Sequence, residues 1–124
     1  MNNFNNKYLI SVILFIILTG VFIYSVFIPS TQKINTDFPN YYVSSNMYLD
    51  GKDMRTAYDN VEFNRQLLMY GINDQIVSYT PYPPLTALLM LPIAKLIPLD
   101  AKLWWNIFNL LLLACCIFIL SKIT

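Results

Sequence analysis

From Tyr8 to Ile28 the chain reads YLISVILFIILTGVFIYSVFI, twenty-one residues without a charge. At about 1.5 Å per residue a helix of that length covers the roughly 30 Å hydrocarbon core of a bilayer. A secretory signal would have a shorter apolar region ending in an A-x-A-like site, and here IPSTQK follows directly. The segment is therefore expected to be an uncleaved membrane span, residues 8–28, behind a short cytoplasmic N-terminus, residues 1–7. A second apolar run, residues 100–121, has Asp100 to cap its first turn, Trp104 and Trp105 at the interface, and Lys122 to close it, ahead of a stub at 122–124. Within it Asn106, Asn109, Leu113 and Cys116 share one helical face. Two amides on that stripe favour contact with another helix, and hydration near the headgroups is the other reading.

Composition supports the same class. The 124 residues are 56% hydrophobic and only 12% charged, far from the balance of soluble domains. Net charge is +1 with no clustered basic run, which argues against nucleic acid as a partner. The absence of histidine removes His-based triads and most metal sites. Cys115 and Cys116 are neighbours on a helix and point apart, so they are expected to be apolar filler rather than a disulfide. The expected fold is an all-α membrane protein, two transmembrane helices joined by a long external loop with short juxtamembrane helices.

That loop, residues 29–99, holds six of the seven acids and seven of the nine tyrosines. A helix is predicted from Asp37 to Leu49, with Phe38, Tyr41, Tyr42, Ser45 and Leu49 on its less polar face and Gly51 as its stop. Asp59-Asn60-Val61-Glu62 has capping-box spacing, which predicts a second helix to Tyr70 with Gly71 beyond it. In SYTPYPPL, Ser78 to Leu85, prolines enforce an extended approach, and Pro84 suits the first turn of a helix. The following LTALLMLPIAKLI is too short to span and is interrupted by Pro92. It is expected to be a re-entrant or surface-lying juxtamembrane helix. Charge does not orient the loop, because lysines flank both sides of both spans.

The residues leave Asp37 two roles. An acid before a Pro-containing helical turn is a natural cap, and an acid among aromatics beside a span is also a natural reactive group. A carboxylate that caps backbone amides is the weaker base, so the two roles compete.

The motifs run in the order Asp37-Phe38-x-x-Tyr41-Tyr42, Leu49-x-Gly51, Tyr58-Asp59, Tyr79-x-Pro81-Tyr82-Pro83-Pro84-Leu85, and Leu91-Pro92 before a Trp-led helix. This order resembles the N-terminal part of the integral-membrane glycosyltransferases of family 87, polyprenol-phosphate-mannose-dependent alpha-mannosyltransferases with the GT-C fold. The resemblance covers nearly the whole chain from Tyr8 onward. It implies transfer of a hexose, mannose by analogy, from a polyprenyl-phosphate sugar donor to a glycolipid or glycan acceptor. It implies a multi-pass location in the plasma membrane with residues 29–99 outside the cytoplasm. Asp37 is then the catalytic base, and Tyr41, Tyr42, Tyr79 and Tyr82 are the candidates to bind substrate, since tyrosine rings stack on pyranoses while their hydroxyls hydrogen-bond. Lys52, Arg55 and Arg65 are available to the phosphate but have no matched position. Single displacement needs one carboxylate and neither metal nor cofactor. Enzymes of this family have many more spans. The chain is accordingly expected to be an N-terminal portion, inactive alone, that needs further transmembrane helices from a downstream part or another subunit. The alternative is a small non-enzymatic hairpin membrane protein acting by helix–helix association.

Overall fold

A computed structural model describes residues 2–34 and 37–123; Met1, Asn35, Thr36 and Thr124 lie outside it. The described residues are helical or irregular and contain no strand. They fall into two compact units, Met1–Lys33 and Ile34–Thr124. Two helices are long and apolar enough to cross a membrane, Tyr8–Gln32 and Pro98–Ile123.

The first unit is one apolar rod built of α1 (Asn2–Phe22), a π-helical turn (Ile23–Phe27) and α2 (Ile28–Gln32). Pro29 explains the wide turn. It has no N–H to give the carbonyl four residues back, and its ring crowds that carbonyl. The helix relaxes to a five-residue step, with Ile28 N–H donating to the Ile23 carbonyl. Ser30 and Thr31 hydroxyls then serve the Phe27 and Ile28 carbonyls at 2.8 and 2.7 Å. The proline thus lies inside the span, which continues four residues past the boundary expected at Ile28.

The second unit begins with α3 (Phe38–Leu49), where Pro39 sits in the first turn and has no orphan N–H to satisfy. At its end Gly51 adopts φ 66°, and Lys52 N–H reaches back to the Met47 carbonyl at 2.9 Å, which closes a Schellman motif. A 3-10 turn (Met54–Tyr58) leads into α4 (Asn60–Met69), whose cap is Asp59, accepting from the N–H groups of Val61 and Glu62 at 2.9 and 3.1 Å. Glu62 does not return the capping-box bond; it accepts from Gln66 and pairs with Arg65. Gly71 repeats the Schellman stop at φ 83°, with Ile72 N–H on the Leu67 carbonyl. Phe38, Tyr42, Val43, Met47, Phe63, Leu67, Tyr79 and Met90 form the core between these helices and the later loop.

Two expectations about these elements are corrected. Leu49 is exposed, whereas Asn40, Ser44 and Asn46 of α3 are buried, so the covered surface wraps most of the helix. The segment after Pro83 is not an α-helix. It is a 3-10 turn (Pro84–Leu88) followed by a chain of three-residue turns, with N–H of 89, 91, 93 and 96 each bonding a carbonyl three residues back. Pro92 removes one donor and crowds the Leu88 carbonyl, so the four-residue ladder cannot form.

The last helix, α5 (Pro98–Ile123), starts before Asp100, which lies in its first turn. Asn109 donates one N–H to the Trp105 carbonyl of its own helix at 2.7 Å. Cys115 and Cys116 are free and exposed.

Replacing Phe63 by Ala should cost about 3–5 kcal/mol, because its ring is fully buried. Gly51→Ala has open space for its Cβ and should cost about 1–2 kcal/mol through backbone handedness alone. Denaturant unfolding in detergent micelles measures both, and equal costs would refute this division.

Candidate functional site

Asp37 stands at the N-cap position of α3 but its carboxylate caps nothing. Its backbone carbonyl accepts from Asn40 and Tyr41 N–H, at 3.1 and 3.4 Å. The side chain is exposed and receives a short hydrogen bond from the Tyr82 hydroxyl on Oδ1. Forty-five residues separate the two partners in the chain, so only the fold of the loop joins them. The carboxylate is not tied to helix amides, so it does not serve as the side-chain cap of α3.

Tyr82 is held from several sides. The Tyr58 hydroxyl donates to its carbonyl at 2.8 Å, and its N–H bonds the Tyr79 carbonyl at 2.9 Å. Its ring stacks on Tyr79 at 5.8 Å between centroids and meets Tyr41 edge-on at 5.4 Å. Tyr41 in turn lies 6.0 Å from Trp105 of α5. The prolines on either side of Tyr82 restrict its aim: the expected extended approach is instead a turn containing Pro81, closed by the Tyr82 N–H on the Tyr79 carbonyl, and only Pro83 is extended. Asp37, Tyr41 and Tyr82 therefore meet, with Tyr79 beneath them.

Tyr79 is fully buried, its hydroxyl bonded to Thr86 at 2.7 Å and to the Pro83 carbonyl, so it supports Tyr82 from the core. Tyr42 does not join the group. It is buried on the other side of α3, stacked on Phe38, with its hydroxyl on the Leu96 carbonyl at 2.8 Å. Neighbours in a helix diverge by about 100°, so adjacent tyrosines take different surroundings.

The sequence reading passed over three residues at the site. Trp105 borders Tyr41; its spacing from the loop gave no sign of that. Asn40 is buried near Tyr82, and its Oδ1 has no partner. Lys102, only 7% exposed, places its ammonium over the Phe38 ring at 5.1 Å. Among the described residues no carboxylate pairs with Lys102. The cations expected to be available are engaged elsewhere: Arg55 with Asp53, Arg65 with Glu62, and Lys52 with Gln66. No group of three or more His, Cys, Asp or Glu gathers among the described residues to hold a metal.

Two tyrosines lean on carboxylates. The bond to Asp37, then burial, pushes the Tyr82 phenol above its usual 10.0, and the Asn40 amide pulls it partly back. Burial, then the bond to Asp50, pushes Tyr70 further up. Asp50 itself is held below its ordinary range by Lys95 first and Tyr70 second. A phenol with a raised folded value contributes stability that is full below pH 10 and lost as pH rises through that value. Ultraviolet phenolate titration should show Asp37→Asn shifting the ionisation of one tyrosine to lower pH and Asp50→Asn shifting that of another to lower pH. An unchanged titration in Asp37→Asn would mean that the Tyr82 bond does not persist in solution.

Comparison with family models, with curated proteins and with solved structures finds no match to this chain.

Proposed function

We propose that this chain is the N-terminal region of a GT-C-type membrane glycosyltransferase that moves a hexose, mannose by analogy, from a polyprenyl phosphate to a glycolipid or glycan hydroxyl. The observation that supports it most is the Asp37 carboxylate, exposed, free of capping duty, and oriented by Tyr82 beside aromatic rings. General-base catalysis asks for that combination: an ionised acceptor of protons, a fixed direction, and surfaces that position the sugar.

In the proposed step the acceptor oxygen forms a bond to the anomeric carbon as the bond from that carbon to the phosphate oxygen breaks. The polyprenyl phosphate leaves with the electron pair, and the acceptor proton passes to Asp37. With Tyr82 on Oδ1, Oδ2 is the atom that takes it. The half-buried rings of Tyr41 and Trp105 would stack on the apolar face of the pyranose. Lys102 enters as the cation for the phosphate. It stands beside the residue that follows Asp37, and an ionisable side chain at the start of a span without an acid partner fits an anionic lipid group. Tyr42 and Tyr79, both buried, are no longer among the residues proposed to touch sugar. Further transmembrane helices, from a downstream part or another subunit, would complete the site, and the loop would face out of the cytoplasm.

The test uses the full reading frame in membranes supplied with radiolabelled polyprenyl-phosphate mannose. Asp37→Asn should slow transfer by about two to four orders of magnitude with unchanged protein level. Near-normal transfer by Asp37→Asn would refute the base, and a wild type that transfers nothing while self-associating would favour the non-enzymatic hairpin. Orientation has its own check. Ile76 is 93% exposed, so Ile76→Cys, with Cys115 and Cys116 changed to Ala, should react with an impermeant maleimide on intact cells. Reaction only after lysis would place the loop inside.

A further inference from the structure

Three buried polar side chains of α3 serve no part of the Asp37 site. Each donates to a backbone carbonyl of the irregular segment that precedes α5. The Ser45 hydroxyl reaches the Ala87 carbonyl at 2.6 Å, the Asn46 amide the Ala94 carbonyl at 2.8 Å, and the Tyr42 hydroxyl the Leu96 carbonyl at 2.8 Å. Asn46 gives its second N–H to the Tyr42 carbonyl of its own helix, at 3.0 Å. The turns of the segment satisfy the carbonyls of Thr86, Leu88, Met90 and Ile93, and α5 satisfies that of Ile97. The side chains of α3 thus fill gaps that the three-residue turns leave open.

The side chains of the same segment divide sharply. Ala87, Met90 and Ala94 are buried against the core. Leu85, Leu88, Leu89, Leu96 and Ile97 are exposed, Leu85 at 73%. A solvated loop has no need to have its carbonyls sealed, because water would serve them. A patch of leucines over a backbone whose Ala87, Ala94 and Leu96 carbonyls are served from α3 suits the headgroup–acyl boundary, where protein satisfies the inward polar groups and water can reach the rest. The segment also runs without a break into α5, whose apolar surface is the membrane-spanning one. Lys95 sets the level. Its ammonium pairs at 2.6 Å with Asp50 at the end of α3 and stays exposed, as a group at headgroup depth would.

We infer that residues 84–97 are a lipid-embedded wedge, a segment without α-helix that sinks its leucines into the headgroup–acyl boundary beside α5 while Tyr42, Ser45 and Asn46 of α3 serve three of its carbonyls. The occupant of this apolar face is the bilayer itself. The inference is independent of any glycosyl transfer, since among the described residues no hydrogen bond joins the segment or its α3 donors to the side chain of Asp37 or Tyr82. It also accounts for buried serine and asparagine on a helix whose neighbours are otherwise apolar. Interfacial apolar faces sink about 5–10 Å into the headgroup and acyl boundary, and that depth can be read out.

The experiment uses the full chain in phosphatidylcholine vesicles, with Trp104 and Trp105 changed to Phe and single tryptophans placed as Leu89→Trp, Ile97→Trp or Ile76→Trp. The quenchers are brominated phosphatidylcholines with bromine either near the head or near the end of the acyl chain. The first two reporters should lose more than about half of their emission to bromine near the head and less to bromine near the end, as that boundary depth requires. The Ile76 reporter should be little affected. Equal quenching at all three positions would overturn the wedge. Unquenched, blue-shifted emission at Leu89 and Ile97 would also overturn it, by showing that protein rather than lipid covers the face. A second comparison isolates the sealing. Ser45→Ala in the Leu89→Trp background should reduce quenching while circular dichroism keeps the helical signal. Quenching that persists undiminished would show that the α3 donors do not hold the wedge in lipid.

Discussion

A carbonyl oxygen without a donor costs several kcal/mol in hydrocarbon, and the chain from Pro83 to Ile97 has more carbonyls than its own turns can serve. Pro92 is the source of the difficulty, because it stops the helix that would have satisfied them. The solution lies on α3. Tyr42, Ser45 and Asn46 occupy one buried side of that helix and donate across to Leu96, Ala87 and Ala94. Much else in the second unit follows from that docking. It sets the position of α3 against the loop, and it buries Met90 and Ala94 in the core. It also brings Lys95 to Asp50.

The same helix presents its first turn to the candidate site. Asp37 and Tyr41 lie on the side that meets Tyr82, while Tyr42 lies on the side that meets the wedge. One short helix therefore couples an exposed carboxylate to a membrane-proximal segment. In the proposed enzyme this coupling would hold the base at a defined height above the acyl layer, the level at which a lipid-linked sugar presents its anomeric carbon. Lys102, at the start of α5 and over Phe38, belongs to the same junction.

The aromatic residues divide by what surrounds them rather than by type. Tyr79 and Phe63 stack at 5.3 Å in the interior and act as apolar mass with one satisfied hydroxyl. Tyr82 rests on that stack and is held by the Tyr58 hydroxyl, so its own hydroxyl can be directed at Asp37. Edge-on and stacked ring contacts are individually small, on the order of 1 kcal/mol each, but here they fix a direction, and direction is what a hydrogen bond to a carboxylate requires.

Local rules were enough for the elements whose cause is local. Apolar length alone marked both helices long enough to cross a membrane, and Asp59 with Gly51 and Gly71 marked where α3 and α4 begin or end, because caps and left-handed glycines act within a few residues. Pro92 marked a break in the juxtamembrane stretch, though not that turns would replace a helix. The sequence also singled out Asp37 and the tyrosines of the two aromatic motifs. It could not divide them. Whether Asp37 caps α3 or meets Tyr82, and whether Tyr42 faces sugar or Leu96, depends on contacts between residues more than forty positions apart. The burial of Ser45 and Asn46 was equally hidden, since their hydrogen-bond partners are backbone carbonyls and a carbonyl looks the same at every position of a sequence. Those choices were made only when the loop folded back on α3, where the demand to satisfy each buried polar group selected one arrangement.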